Sequence, residues 1–493
     1  MSNGALIFSQ DLKLVEHISC YLTDNYDCKP CVAQDCETAR SCIDRMRHPT
    51  IFLDLRAESN ALQVQPLLHH LAANATDRIN LFTISDGFIP KELVVSIDQL
   101  CAGYFEHPIV NQKMDESLAF LGNGGVSHEA PKPPEMRIAE AGGIKFVTYT
   151  PELFPVIDQL LRIAVHNVTL LLVGETGTGK TTLAQLIHRL SERHDEPFQN
   201  VSCGALPRDL IESELFGHLR GAFTGAERSK IGRFEAAGRG TLLLDEIDVL
   251  GPKDQAKLLR VIETGEFEPV GSTETRYSNA RLVVASNVDL ETLTQNNDFR
   301  SDLYYRLNVV EFRLLPLRER PLDIVPMAVD FIDDCCKQHG VDIQRIHHDF
   351  VKVLKSYQWP GNIRELKNQI QRSVLFCENR ELTVNDLSLK IREATRNGGL
   401  THQPQTLADR VAFSEREILE EALRAHGYKR TVTAKSLGIS RVGLYKKMRK
   451  LGMLEASAQE SGPGSKWPIL RSVPWKVPPL EKSPPLAKGM TFL

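Results

Sequence analysis

The sequence predicts an α/β fold in which two doubly wound regions precede a small all-helical domain. Three observations support this fold class. Short apolar runs alternate with amphipathic helical patterns in two separate stretches of the chain. Segments rich in glycine and proline divide these stretches, and a later stretch is helical in pattern and dense in positive charge. The length of 493 residues agrees, because it is sufficient for about three domains.

The first doubly wound domain is predicted at residues 1–120. The runs ALIF, TIFLDL and INLFTI are typical of buried parallel strands, and LVEHISCYLT is typical of an amphipathic helix between the first two. Composition and pattern give the remaining boundaries. They are a linker at 121–140, a second α/β domain with a helical extension at 141–393, a linker at 394–405, an all-helical domain at 406–453 and a disordered proline-rich tail at 454–493.

Composition is that of an ordinary globular chain, with 42% hydrophobic and 25% charged residues. No apolar run reaches the roughly 18 residues that a membrane span needs, and no secretory signal is visible. The sequence therefore predicts a cytoplasmic protein without membrane contact. The net charge of −4 implies that any nucleic-acid binding is confined to a local basic region.

Ten cysteines occur in the chain, and five of them lie within the first 42 residues. We interpret them as reduced thiols of a cytosolic domain rather than as a disulfide framework. The CxxC pair of Cys28 and Cys31 leaves a metal or redox site as the alternative, although no second CxxC or histidine pair completes a zinc-ligand set.

A glycine-rich loop lies between an apolar run and an amphipathic helical pattern in LLLVGETGTGKTTLAQLI. Its backbone N–H groups are expected to face phosphate oxygens at a helix N-terminus, where the helix dipole favours negative charge. Lys180 is expected to reach the β- and γ-phosphates of ATP, and the Thr181 hydroxyl to bind Mg²⁺. The predicted ATP-binding residues are Gly174, Glu175, Thr176, Gly177, Thr178, Gly179, Lys180 and Thr181.

Two carboxylates, Asp245 and Glu246, end the apolar run in GTLLLDEID. The carboxyl edge of a parallel sheet is where such folds bind their ligands. Asp245 is therefore expected to hold Mg²⁺ together with Thr181, directly or through water, and Glu246 to polarise the attacking water. A solvated acidic pair after a strand is the alternative, and the P-loop upstream favours the catalytic interpretation.

Between these two motifs lies ELFGHLRGAFTGA, and here the chain resembles a specific family. GAFTGA, residues 221–226, is the signature loop of sigma-54-dependent activators, also called bacterial enhancer-binding proteins. Four further blocks agree with this family, namely QAKLLRVIETGEFEPVG, FRSDLYYRLNVVEF, LRERPLDI and WPGNIRELKN. The resemblance covers roughly residues 145–375, and it implies an AAA+ P-loop ATPase domain with a helical lid.

The resemblance also implies roles for individual residues. Asn287 resembles sensor I, a polar side chain close to the γ-phosphate, and Arg364 resembles sensor II in the lid. Arg300 and Arg306 match arginine fingers that reach a neighbouring subunit's nucleotide, although each arginine taken alone could form a surface ion pair. Such fingers imply an oligomeric ring, typically a hexamer. The residues implied to contact sigma-54, with Phe223 and Thr224 at the tip, are Gly221, Ala222, Phe223, Thr224, Gly225 and Ala226.

The chain departs from the family at two positions of this site. Thr181 replaces the usual glutamate after the P-loop lysine, a change that should preserve Mg²⁺ binding. Ser202 replaces an asparagine that the resemblance implies restrains Glu246. A serine can still hydrogen-bond a carboxylate, though with a shorter reach.

The all-helical domain resembles the Fis-type helix-turn-helix that closes most members of the family. Helices are predicted at about 413–426 and 431–437, followed by a turn and the basic segment SRVGLYKKMRKLG, in which Leu444 and Tyr445 are expected to serve as core or backbone contacts. A basic second helix suits entry into the DNA major groove, and a merely solvated charged face is the alternative. The predicted DNA-binding residues are Lys429, Arg430, Ser440, Arg441, Lys446, Lys447 and Arg449.

The first 120 residues resemble a degenerate response-regulator receiver domain. Asp54 occupies the phospho-acceptor position, and Ser85 the hydroxyl position after the fourth strand. Ser9–Gln10 replaces the expected acidic pair, which leaves only Asp11 nearby, and His107 replaces the expected lysine. Aspartyl phosphorylation needs Mg²⁺ held by several carboxylates. The sequence therefore favours a pseudo-receiver that gates assembly through a protein partner, a nucleotide second messenger or a promoter-bound dimer, with phosphorylation of Asp54 as the alternative.

Together these motifs predict a transcriptional regulator that binds double-stranded DNA upstream of promoters. With ATP and Mg²⁺ as cofactors, its homo-oligomer, from dimer to hexameric ring, would remodel sigma-54 RNA polymerase holoenzyme. The alternative is a non-hydrolysing ATP-binding regulator or repressor that acts with another sigma factor. A small-molecule kinase with the same P-loop is a third hypothesis, and it predicts no DNA binding.

Overall fold

The computed structural model describes residues 4–46, 49–56, 58–73, 79–122 and 135–396, and in addition residues 433, 434, 436, 444 and 448. The chain divides into two compact units, Met1–Thr401 and His402–Leu493. Within the described residues, no helix is both long and apolar enough to cross a membrane.

The first domain is a parallel sheet with helices on both faces, as predicted. Its strands are β1 (Ala5–Phe8), β2 (Cys31–Ala33), β3 (Thr50–Asp54), β4 (Asn80–Ser85), a short β5 (Phe88–Pro90) that joins another sheet, and β6 (Cys101–Glu106). Its helices are α1 (Leu12–Tyr26), α2 (Cys36–Ile43), α3 (Glu58–Ala73), α4 (Val94–Leu100) and α5 (Asn111–Gly122). The strand order β2-β1-β3-β4-β6 is doubly wound. Leu81 and Phe82 on β4 join hydrophobic clusters on opposite faces.

The P-loop domain follows, and its central parallel sheet has the order β10-β13-β16-β9-β17. Its strands are β7 (Arg137–Ala141), β8 (Ile144–Thr148), β9 (Leu170–Val173), β10 (Phe198–Ser202), β11 (Gly217–His218), β12 (Lys230–Ile231), β13 (Thr241–Asp245), β14 (Glu266–Phe267), β15 (Arg276–Tyr277), β16 (Arg281–Ser286) and β17 (Val310–Arg313). Its helices are α6 (Phe154–Ile163), α7 (Lys180–Leu190), α8 (Arg208–Phe216), α9 (Arg233–Ala236), α10 (Pro252–Thr264), α11 (Leu290–Gln295) and α12 (Ser301–Leu307). The carboxyl ends of β9, β13 and β16 meet at one edge, because these strands are parallel neighbours.

The first predicted linker is too long at its C-terminal end. The linker predicted at 121–140 stops at Arg137, where β7 begins and pairs with β8 in an antiparallel hairpin. The short turn at Gly142 and Gly143, both with positive φ, connects the two strands. The alternation of apolar and polar residues that indicates a strand is brief here and directly follows a proline-rich segment. The sequence pattern therefore did not distinguish the strand from the linker.

The predicted helical extension forms a lid after β17. It contains α13 (Pro321–His339), α14 (His348–Ser356), α15 (Asn362–Phe376) and α16 (Leu389–Arg396), with the short strands β18 (Arg345–His347) and β19 (Glu381–Leu382) between them. The end of α16 lies three residues inside the linker predicted at 394–405.

The lid is joined to the first domain, which the sequence did not predict. Strand β5 of the first domain pairs antiparallel with β18 of the lid, and the three-stranded sheet has the order β19-β18-β5. One hydrophobic cluster continues from the first domain, at Ile89 and Ile97, into the lid at Ile346 and Phe350. Ion pairs border this junction, among them Lys91 to Asp333 at 2.8 Å. The first domain and the lid therefore share a core.

The second unit is described at five residues. Thr433, Ala434 and Ser436 are helical, within the helix predicted at 431–437. Leu444 and Met448 are helical and buried, so the prediction that Leu444 is a core residue is confirmed. The seven predicted DNA-binding residues and the tail predicted at 454–493 lie outside the described residues.

The interpretation of all ten cysteines as reduced thiols is corrected by the structure. Cys31 at the start of β2 and Cys42 near the end of α2 form a disulfide, with their Cα atoms 6.8 Å apart. Strand β2 and helix α2 are adjacent, and this places the two residues together although they are eleven positions apart. Cys28, the other member of the CxxC pair, is a free thiol. Among the described residues, no cluster of His, Cys, Asp and Glu suited to a metal ion is found.

Candidate active site

The P-loop connects the end of β9 to the start of α7. Lys180 is the first residue of α7 and is buried. Its Nζ donates hydrogen bonds to the carbonyl oxygens of Gly174 at 2.5 Å and Glu175 at 3.0 Å, and to Asn287 Oδ1 at 2.8 Å. Burial lowers the pKa of Lys180, although the carboxylate of Asp245 opposes this effect. The structure thus brings Lys180 and Asn287, predicted from separate motifs, into direct contact.

Asp245 and Thr181 face each other across the same edge of the sheet. The Thr181 hydroxyl donates to Asp245 Oδ2 at 3.2 Å. One hydroxyl and one carboxylate in this arrangement are oxygen donors of the kind that Mg²⁺ prefers. The pair predicted to hold Mg²⁺ is therefore together, and its donor set fits that ion.

Glu246 is held from two sides. Ser202 Oγ donates to Glu246 Oε2 at 3.2 Å, and Asn287 Nδ2 donates to Glu246 Oε1 at 3.4 Å. The backbone of Glu246 is left-handed, with φ of 58°, a conformation that costs energy for a non-glycine residue and is often found at functional sites. Gly204 backs the carboxylate so closely that a Cβ there would lie 2.0 Å from Oε2. The bond from Ser202 shows that a serine, although shorter than the asparagine it replaces, still reaches the carboxylate of Glu246.

Three residues of the lid region hold the P-loop in place, and sequence reasoning did not single them out. Asn362, fully buried, donates to Glu175 Oε2 at 3.2 Å and to the Thr176 carbonyl at 3.0 Å. Arg318 forms a bidentate pair with Glu175 at 2.7 and 2.9 Å, which holds the pKa of that carboxyl below its usual value. Arg320 donates to the Thr178 carbonyl at 3.1 Å. The blocks LRERPLDI and WPGNIRELKN marked these segments, though not these roles.

Arg364 lies beside the P-loop at the start of α15. The Cβ of Arg364 would be 3.2 Å from a Cβ built on Gly177, and its charge contributes to the lowered pKa of Lys180. The structure thus brings this predicted lid arginine close to the phosphate-binding segment.

Arg300 and Arg306 lie at the two ends of α12 with exposed side chains. Arg300 pairs with Asp302 at 2.6 Å, and Arg306 pairs with Glu263 at 3.0 Å. In the single chain both therefore form the surface ion pairs that were the alternative. An exposed position is also what an arginine needs to reach a neighbouring subunit, so the arrangement permits both interpretations.

The GAFTGA residues form a projecting loop on the short β11–β12 hairpin. Gly221 and Gly225 have φ of 80° and 102°, which only glycine adopts without strain. The loop is closed by hydrogen bonds from Gly221 N to the Ala226 carbonyl at 2.8 Å and from Ala226 N to the Phe223 carbonyl at 3.0 Å. Phe223 and Thr224 are exposed, whereas Ala226 is buried at the base. The tip of the loop is therefore exposed. A buried turn would have contradicted the predicted contact with sigma-54.

Comparisons with known proteins agree with this geometry. Residues 146–313 match the family described as Sigma-54 interaction domain, residues 318–403 match the AAA+ ATPase lid domain, and residues 410–451 match Bacterial regulatory protein, Fis family. Regulatory protein AtoC of Escherichia coli strain K12 is 36% identical over 371 residues, which cover 73% of this chain and 80% of AtoC. The chain belongs to the sigma-54-dependent transcriptional activators.

Two further similarities extend the comparison. The Nif-specific regulatory protein of Azotobacter vinelandii is 43% identical to this activator over 295 residues, which cover 60% of the chain and 56% of that protein. The activator thus spans little more than half the length of this relative. A crystal structure of NtrX from Brucella abortus in complex with ADP aligns over 92% of the chain and 100% of NtrX, with 24% identity and a TM-score of 0.46.

In the activator's first domain, the carboxylates of Asp54 and Asp11 are bridged by an arginine, Arg56. Arg56 donates through Nε to Asp54 Oδ1 and through one terminal nitrogen to Asp54 Oδ2 and Asp11 Oδ2, each at 2.9 Å. Ser9 Oγ donates to Asp54 Oδ2 at 2.7 Å. Burial alone would raise the pKa of Asp54, but the hydrogen bonds from Arg56 and Ser9 outweigh it and hold the pKa below its usual value. The guanidinium of Arg56 therefore bridges the two carboxylates of Asp54 and Asp11.

Sequence reasoning named Asp54 and Asp11 but missed Arg56. An arginine two positions after an aspartate is common on protein surfaces, and no pattern in the sequence distinguishes this one. Ser85, the predicted hydroxyl residue, accepts a hydrogen bond from Gly87 N at 3.1 Å. His107 is exposed.

Proposed function

We propose that this activator hydrolyses ATP at the edge of the P-loop sheet and uses the cycle to move the GAFTGA loop against sigma-54. The observation that carries the proposal is the hydrogen bonding of Glu246. On one side, Asn287 connects Glu246 to Lys180. On the other side, Ser202 ends β10, and the chain runs from there through α8 directly into the β11–β12 hairpin. A change in the hydrogen-bond partners of Glu246 can therefore be transmitted to the GAFTGA loop through α8.

The hydrolytic step follows from the residues around Glu246. Its carboxylate is the general base, which accepts a proton from water as the water oxygen bonds to the γ-phosphorus; the bond from the γ-phosphorus to the β–γ bridging oxygen breaks, and ADP leaves. Lys180 stabilises charge on the phosphate oxygens, and its bond to Asn287 positions the amide beside the same phosphate. Mg²⁺, held by Thr181 and Asp245, would neutralise part of the negative charge between the phosphates. Arg364 would contact the nucleotide from the lid.

Catalysis is proposed to require a ring of subunits. Arg300 and Arg306 would leave their own acidic partners and stabilise the transition state at a neighbour's nucleotide. Their exposure supports this role, because each guanidinium is free to move to an adjacent protein surface. Activity should therefore rise steeply with protein concentration.

The remaining partners are proposed from the family and the Fis-type domain. The basic segment that includes Arg441, Lys446 and Arg449 would enter the DNA major groove at sites upstream of promoters, with a strong dependence on salt. Phe223 and Thr224 would contact sigma-54 in the polymerase holoenzyme. An activator of this kind acts in the cytoplasm, where its promoters and polymerase are.

The rate of ATP hydrolysis as a function of protein concentration tests the proposed activity. We expect the specific rate to rise with assembly and to fall by at least about 100-fold in Glu246→Gln, which removes the general base. Glu274→Gln, an exposed glutamate in the same domain, serves as the matched control and should retain the wild-type rate. Absence of turnover at every concentration would contradict the proposal and favour a regulator that binds ATP without hydrolysing it.

A further inference from the structure

A cavity of about 480 Å³ lies where the first domain meets the lid. Strands β4 and β6 and helix α4 line it from the first domain, and helix α14 lines it from the lid. The β5–β18 pairing and the ion pair between Lys355 and Asp98, at 2.7 Å, hold the two sides together. A molecule bound here would contact both domains at once.

The cavity wall is mostly apolar. Ile89, Val94 and Ile97 contribute from the first domain, and Val351 contributes from α14. The wall also contains a planar element, because the rings of Tyr104 and His348 stack at a centroid distance of 3.9 Å and an angle of 5°. Such a lining favours a ligand with an apolar and flat body.

Two polar atoms in this wall are buried and lack a hydrogen-bond partner within the described part of the chain, namely Thr83 Oγ1 and His348 Nε2. Thr83 is fully buried, and His348 is 8% exposed. Leaving such groups unsatisfied is costly, so buried polar atoms nearly always have a partner. Burial lowers the pKa of His348 to about 4, so its imidazole is neutral at pH 7 and offers a hydrogen bond rather than a charge. The two atoms are suited to the polar group of a ligand.

One cation at the rim has no ion-pair partner among the described residues. Lys352 lies on α14, lines the cavity and is exposed, whereas Lys355 on the same helix is bound to Asp98. A free ammonium group at the mouth of an apolar cavity favours an anionic group on the ligand.

We propose that this cavity binds a small molecule with a flat apolar body and one anionic group, such as an aromatic carboxylic acid. The apolar body packs between α4 and α14. The anionic group lies beside Lys352 and accepts a hydrogen bond from His348 Nε2, one turn away on the same face of α14. Binding of this molecule would reach the ATP site through α14, because α14 belongs to the same lid as Arg364. Such a signal does not require Asp54, whose two carboxylate oxygens already accept hydrogen bonds from Arg56. The proposal concerns binding, and it is independent of whether the activator hydrolyses ATP.

Titration calorimetry of the full chain with 2-naphthoate tests the proposal, with the neutral 2-naphthamide as the matched probe. We expect one site per chain with a Kd below about 1 mM for 2-naphthoate, and binding of 2-naphthamide at least about fivefold weaker. Lys352→Gln should weaken 2-naphthoate to the level of the amide. Lys337→Gln, an exposed lysine on α13 outside the cavity, should leave the Kd within about twofold.

Ser356→Trp locates the binding site, because Ser356 is exposed at the end of α14 and lines the cavity. An indole there fills the mouth without entering the core, and we expect it to abolish binding of both probes. Thermal unfolding of each variant confirms that it is folded. Absence of saturable 2-naphthoate binding, binding that survives Ser356→Trp, or equal affinity for the amide would each overturn the proposal.

Discussion

At the scale of single residues, the proposed ATPase activity depends on how closely the surroundings fix the carboxylate of Glu246. Two hydrogen bonds and the absence of a side chain at Gly204 determine its position. General base catalysis requires the acceptor oxygen to lie within hydrogen-bond reach of the attacking water. Small displacements of the carboxylate should therefore reduce the rate far more than they reduce nucleotide binding.

Gly204→Ala tests this dependence. The added Cβ would lie 2.0 Å from Glu246 Oε2, so the carboxylate must move. We expect kcat for ATP hydrolysis to fall by at least about tenfold, with the Kd of a non-hydrolysable ATP analogue changed by less than about threefold. Gly251→Ala is the matched control, because its Cβ would meet Asp254 at an ordinary 3.6 Å. Wild-type turnover in Gly204→Ala would show that Glu246 is not held as described.

A second residue-scale prediction concerns Arg56. Removing its guanidinium in Arg56→Ala leaves the buried carboxylate of Asp54 without its cation, which should lower the unfolding free energy of the first domain by about 3 kcal/mol at pH 7. The native pKa of Asp54 is depressed, so this stabilisation is present above the ordinary value of 3.8 and is lost as the pH falls through the lower native value.

Urea unfolding of both proteins between pH 7 and pH 3 measures this difference. The gap between wild type and Arg56→Ala should narrow at the acid end of the series, whereas Arg45→Ala, at an exposed arginine of the same domain, should match wild type throughout. A gap that widens as the pH falls would mean that Arg56 does not stabilise the ionised form of Asp54.

At the scale of elements, the lid and the P-loop behave as one unit because Asn362 bridges them. Besides its two bonds to the P-loop, its Oδ1 accepts from Leu317 N at 2.7 Å. Asn362 also has a positive φ of 50°, so glycine is the substitution that removes the side chain without adding backbone strain. The loop that binds phosphate is thereby positioned by the first turn of α15.

Asn362→Gly should loosen the P-loop and raise the Kd of a fluorescent ATP analogue by at least about fivefold, because three side-chain hydrogen bonds, one buried and two partly buried, are lost. Asn379→Gly provides the same substitution at another asparagine with positive φ, 55°, on the exposed lid surface. That control should bind the analogue like wild type. Equal affinity of Asn362→Gly and Asn379→Gly for the analogue would mean that nucleotide binding does not depend on the bonds from the lid to the P-loop.

At the scale of the whole molecule, the proposed mechanism requires active sites that are shared between subunits. Glu246→Gln keeps its exposed arginines, and Arg306→Ala keeps its general base, so each variant lacks what the other supplies. Each alone should be nearly inactive, whereas an equal mixture should recover roughly a quarter of the wild-type rate, the fraction of interfaces that combine both intact groups. A mixture no more active than its components would place Arg306 outside the neighbour's site.

The sequence predicted the parts of this molecule that local pattern determines. Strands β9, β13 and β16 and the residues that follow them could be predicted, because an apolar run followed by Lys180, Asp245 or Asn287 is contiguous in the chain. The β5–β18 pairing could not, because Phe88–Pro90 and Arg345–His347 are three-residue strands about 250 positions apart. The role of Asn362 was missed for the same reason, since its partners belong to a distant loop.

In the proposed mechanism, nucleotide at Lys180 drives the GAFTGA loop onto sigma-54. The decisive experiment is capture of sigma-54 holoenzyme by the activator trapped with ADP and aluminium fluoride, with wild type compared with Thr224→Ala. Thr224 is exposed at the loop tip and distant in sequence from the phosphate site, so the variant should hydrolyse ATP normally. We expect stable capture by wild type and none by Thr224→Ala. Equal capture by both, or no capture by wild type although it hydrolyses ATP, would contradict the proposed mechanism.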